Sequence, residues 1–103
     1  MMEFWRQGDV GLVKVDTLPE GGETVVRING RLVIKEGEKT GHSHTITAPY
    51  VKMIETADAR YIVSKRAFKV FHQEHEVAFM PPGIYEVPEQ VEYVAQEIRR
   101  VLD

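Results

Sequence analysis

The chain has 103 residues, of which 43% are hydrophobic and 28% charged, a balance that suits one globular domain over 1–103 and excludes a disordered or fibrous polypeptide. Its 13 basic and 16 acidic residues leave a net charge of −3, so nothing chain-wide favours nucleic-acid binding, although a local basic stripe assembled by folding stays open. Cysteine is absent, which excludes disulfides and thiolate chemistry and leaves His and carboxylates as ligands for any transition metal.

Met1 to Arg6 contains no long apolar run, and no stretch reaches the length of a membrane span. The expectation is therefore a cytoplasmic protein without a secretory signal. A domain this small has a thin stability margin unless a metal, a homo-oligomer or a heat-adapted surface adds to it. Asn29 is the only Asn and there are four Gln, a composition that leans towards a thermophile.

In chain order, Gly8 to Val15 reads as a first strand, with Val10, Leu12, Val13 and Val15 available to two faces. Leu18-Pro19-Glu20-Gly21-Gly22 is a turn or loop. Thr24 to Ile28 and Arg31 to Lys35 are β-branched runs joined by Asn29-Gly30, the strongest two-residue hairpin signal because a type I′ turn needs positive φ at both positions. Glu36 to Gly41 is a polar loop. His42 to Thr47 and Tyr50 to Glu55 are extended, Ala57-Asp58-Ala59 turns, and Arg60 to Ser64, Phe68 to Phe71 and Glu76 to Met80 supply further strands. Pro81-Pro82-Gly83 breaks the ladder before Ile84 to Val87.

From Glu89 to Leu102 the apolar residues Val91, Val94, Ala95, Ile98, Val101 and Leu102 recur at spacings of three and four, which predicts an amphipathic helix. A last strand over Gln90 to Tyr93 followed by a shorter helix is the competing reading. The pattern as a whole predicts a mainly β fold, a small antiparallel barrel or sandwich closed by a short C-terminal helix.

The four histidines carry the chemistry. His42 and His44 are two apart, and in a strand such residues project from one face. His72 and His75 are three apart, between the apolar runs Val70-Phe71 and Val77 to Met80, where a turn brings both rings to one side. Convergence of the two pairs predicts a metal site with His42, His44, His72 and His75 as ligands and zinc as the expected divalent ion, although imidazole also suits iron, nickel, copper and manganese. Glu74 and Glu76 add oxygen donors, either as ligands or as partners that orient an imidazole, and if the site is catalytic Glu74 or Glu76 is the general base beside a metal-bound water. Asp9 is available as an extra ligand, without a spacing argument for it.

The catalytic reading is a metal-dependent hydrolase or another metalloenzyme. Its alternative is a non-enzymatic oligomeric module whose histidines are structural or pH-sensitive. Ser43 lies between His42 and His44, but strand neighbours point to opposite faces, so it is not a nucleophile activated by them. The helical zinc-protease pattern, two His four apart with a Glu between, does not occur. Phe4 and Trp5 cover a core edge or make a subunit contact.

Several segments together resemble a small family of uncharacterised proteins from bacteria, archaea and their viruses. They are Arg6-Gln7-Gly8-Asp9-Val10, Gly37-Glu38-Lys39-Thr40-Gly41-His42-Ser43-His44, His72-Gln73-Glu74-His75, Pro82-Gly83-Ile84-Tyr85-Glu86-Val87, and a tail with Tyr93 and Arg99-Arg100-Val101. The resemblance spans nearly the whole chain and implies no activity. The His-x-His pair is also similar to the first metal motif of cupins. The order then differs, because the second His pair here precedes the Pro-Gly turn, whereas a cupin's later His follows it.

Overall fold

A computed structural model describes residues 3–36 and 41–88. Ten strands run through them: β1 Phe4–Gln7, β2 Val10–Val15, β3 Glu23–Thr24, β4 Leu32–Glu36, β5 Ser43–Ile46, β6 Lys52–Glu55, β7 Arg60–Ser64, β8 Phe68–Val70, β9 Ala78–Met80 and β10 Gly83–Val87. The expected mainly β, antiparallel fold is present. The predicted C-terminal helix falls on residues 89–103, outside the described residues. Among the described residues no helix is long and apolar enough to cross a membrane.

Six strands form one antiparallel sheet in the order β1-β2-β10-β7-β6-β3. The β4–β5 and β8–β9 ribbons lie apart from it in hydrogen bonding. They are linked by paired backbone bonds between Thr45 and Phe71, of 2.9 and 2.8 Å. The large sheet and the two ribbons send side chains into one core. Leu12, Met53, Ile62 and Tyr85 come from the large sheet, and Leu32, Ile34, Ile46, Phe68, Val70 and Met80 from the ribbons. Leu32 and Ile34 of β4 and Phe68 and Val70 of β8 contribute as alternate residues, since successive side chains of a strand face opposite sides. Tyr85 sits at the centre, edge-on to Trp5 at 5.4 Å and to Phe68 at 5.8 Å, with its hydroxyl donating to the Pro81 carbonyl. Trp5 thus packs against the core edge.

One of two hairpin turns differs from the expectation. The first strand is not Gly8 to Val15. Gly8-Asp9 is instead a two-residue turn between β1 and β2, closed by the Gln7–Val10 pair. Gly8 has φ +58° and Asp9 has negative φ, the pattern of a type II′ turn with Gly first. The Asn29-Gly30 turn forms as expected, with φ of 51° and 78°, and a single Ile28–Arg31 bridge closes it. Its flanks then diverge, β3 pairing with β6 and β4 with β5.

Candidate functional site

The site lies where the β1–β2 turn meets β5 and the bend between β8 and β9. His44 is its fixed point. As the second residue of β5 it faces inward and is 0% exposed. A register shift between Val33 and Lys35 sets Lys35 opposite His44 on the neighbouring strand, as a β-bulge re-aims the side chains beyond it.

Gln7, itself buried, orients the His44 ring. Its amide nitrogen donates to the Val70 and Glu76 carbonyls, both at 2.8 Å, so its oxygen must be the atom facing His44 Nδ1 at 2.8 Å. An amide oxygen only accepts. Nδ1 of His44 therefore carries a proton and donates it to Gln7. The other nitrogen, Nε2, faces Asp9 Oδ1 at 2.9 Å. The second oxygen of Asp9 is 2.9 Å from Lys35 Nζ. Chiefly through the Lys35 contact, and with help from His44, the Asp9 carboxyl is held down to about 2. Burial pushes His44 below 6.5, partly countered by Asp9.

The other three rings gather around this pair. His72 is the common neighbour, with its centroid 4.2 Å from His44, 4.7 Å from His75 and 5.9 Å from His42. His44 and His75 are 6.1 Å apart and nearly parallel. The structure thus brings all four predicted residues together within one chain. It joins them across strands through His72, whereas sequence spacing suggested two side-by-side pairs. His42 precedes β5 and lies at the rim, its Nδ1 3.5 Å from Glu74 Oε1. The Glu74 amide donates to His72 Nδ1 at 3.0 Å. In the neutral ring that bond leaves the His72 proton on Nε2. As they stand, no three or more His, Asp or Glu side chains among the described residues are arranged to hold a metal ion.

The two candidate bases separate. Glu74 stands beside the rings, whereas Glu76 is exposed and is bonded to Gln7 through its main-chain carbonyl. Ser43 is bound through its amide to Gln73. Spacing arguments had no access to Gln7, Asp9 and Lys35 as site residues. The one signal for the first two was their place in the Arg6-Gln7-Gly8-Asp9-Val10 segment. Gly8 belongs with them, because a Cβ there would meet His75 Nε2 at 2.4 Å.

These features define a class, a small antiparallel β domain with a histidine cluster at a hairpin turn. The chain belongs to the family described as a domain of unknown function (DUF8820), whose sequence profile matches residues 6–90. That span takes in Gln7, Asp9 and all four histidines. No curated protein and no solved structure matches the chain.

Proposed function

We propose that the domain binds a divalent transition-metal ion, zinc first among the candidates, at a site built on His44 Nε2 and Asp9 and completed by His72 and His75. One observation carries the reading. Gln7 forces the His44 proton onto Nδ1, so the lone pair of the neutral ring is on Nε2, pointing at a carboxylate oxygen 2.9 Å away. Two acceptors in that position repel unless a cation stands between them. A second proton meets the requirement, but burial disfavours a charged ring. A metal ion meets it while leaving His44 neutral, with the Nδ1–H bond to Gln7 as the outer contact that fixes a ligating imidazole.

The remaining donors suit such an ion. His75 is exposed and His72 half-buried, and on this reading both rings turn towards the ion when it binds. For His72 this means giving up the Glu74 amide. Three imidazoles and a carboxylate make a nitrogen-rich set of the kind zinc takes in four-coordinate sites. His42 and Glu74 lie at the outer edge, and Lys35 neutralises the far oxygen of Asp9.

The test is elemental analysis of protein purified without a polyhistidine tag, followed by chelation and zinc titration by calorimetry. The expected result is about one ion per chain, lost in His44→Ala and weakened in Asp9→Asn. The reading fails if no first-row metal is retained or taken up and nitrogen-15 NMR finds both His44 ring nitrogens protonated at neutral pH.

A further inference from the structure

A second surface is built from β8, β9 and the connection between β5 and β6, and it does not depend on the metal reading. Along β8, Phe68 and Val70 point into the core and Lys69 points out. Across from it on β9, Met80 points in and Phe79 points out. Phe79 is 69% exposed, Tyr50 38% and Phe71 36%. Each of the two outer rings carries a cation: Lys69 Nζ lies 5.4 Å from the centre of Phe79, and the Arg66 guanidinium 4.6 Å from that of Tyr50. Between them runs an open depression of about 520 Å³, lined by Tyr50, Lys69, Phe71 and Phe79 among others. It shares Thr47 and Phe71 with a neighbouring depression of about 350 Å³ that reaches Arg31 and His72. Among the described residues no acidic side chain lines either one.

We infer that this face binds single-stranded nucleic acid, with bases stacking on Tyr50, Phe71 and Phe79 and phosphates meeting Arg31, Arg66 and Lys69. The charge of this face selects an anionic partner. The chain as a whole is at −3, yet among the described residues this face combines cations with aromatic rings and carries no acid in its lining. A second copy docked through the same patch around a two-fold axis would bring two equally cationic faces together, a like-charge juxtaposition that disfavours the pairing. Exposed aromatic rings interleaved with cations match what unpaired bases and their backbone need, since every base offers a stacking face and every linkage a negative charge. A duplex hides its base faces and satisfies only the phosphate half of this surface.

The experiment is fluorescence anisotropy with labelled oligothymidylate and oligouridylate, with a chelator present so that phosphate coordination to a metal plays no part. Binding is expected in the range of about 10⁻⁴ to 10⁻⁶ M at physiological salt and tighter at low salt, and three phosphate contacts predict a log–log salt slope of about −2. Phe79→Ala is expected to weaken binding about tenfold or more, as loss of one stacking platform does. Lys69→Glu should weaken it and flatten the slope. Because Phe79 and Lys69 are exposed, both variants should keep the thermal transition of the parent, which is measured alongside. The inference is overturned if neither oligonucleotide binds, if a duplex of equal length or polyglutamate binds as well as the single strand, or if Phe79→Ala binds as the parent does. Concentration-dependent self-association abolished by Phe79→Asp also overturns it, because that assigns the face to a second copy.

Discussion

His44 is a buried ring held between an amide oxygen and a carboxylate, and its protonation decides what the cluster is. In metal-free protein, burial is the largest influence and pushes its pKa below 6.5, while Asp9 pulls the other way and His72 adds repulsion. A folded ring that gives up its proton more readily than the unfolded one makes unfolding take up a proton. Stability from this group is then complete above 6.5 and declines as pH falls below it. Urea unfolding of chelated protein from about pH 7.5 down to about pH 5 is expected to show this decline, with a shallower one in His44→Gln. A stable imidazolium–Asp9 pair predicts the opposite, with stability rising as the pH drops through this range. The sign of the slope thus separates a ring waiting for a metal ion from one already charged.

The β1–β2 hairpin turn links sequence to site most directly at the scale of elements. Gly8 serves twice, adopting φ +58° and leaving room for His75 Nε2. Gly8→Ala places a side chain in the left-handed region, at a cost of about 1–2 kcal/mol. It also pushes the exposed His75 ring away from His44. The expected outcome is a modest fall in the thermal midpoint together with weaker zinc binding, and no further loss of affinity when His75→Ala is added to Gly8→Ala. Parent-like zinc affinity in Gly8→Ala would remove His75 from the ligand set. Local signals of this kind were partly legible in the sequence. Asn29-Gly30 announced its turn because both positive φ angles are a property of two adjacent residues. Arg60 to Ser64 matched β7 because it is a short β-branched run bounded by turns. β1 was not legible: Phe4–Gln7 shows no clean alternation, so Gly8 was read as opening a strand when it ends one. The strands flanking Asn29-Gly30 separate because their partners, β6 and β5, lie further along the chain, where propensity has no say. The same limit applied to the site. Strand spacing put His42 and His44 on one face, but Gln7 and Asp9 reach His44 across 37 and 35 residues, a contact that only the register of the assembled sheets creates.

At the scale of the molecule, the proposed ion at His44 and Asp9 would tie together parts of the fold that share few hydrogen bonds. Asp9 belongs to the turn of the large sheet, His44 to the β4–β5 ribbon, and His72 and His75 to the bend before β9. Unfolding separates all three, so the folded state alone presents the complete donor set and binding adds directly to stability. At a free-ion concentration about a hundredfold above Kd the gain is about 2.7 kcal/mol, which for a domain of this size raises the midpoint by about 10–20 °C. A small core with a thin margin makes that shift easy to see. Chelated protein titrated with zinc, nickel, manganese and calcium in thermal melts should rank the first two well above calcium, because imidazole nitrogen suits borderline ions and calcium prefers oxygen. Asp9→Asn keeps the shape of the turn and replaces a carboxylate with a weaker donor, so it should retain the fold and show a reduced zinc shift. Equal shifts for zinc and calcium would point to a carboxylate site away from the histidines. Identical melts with and without every ion would leave the cluster as a hydrogen-bonded joint between the sheets, held by Gln7 and Asp9 alone.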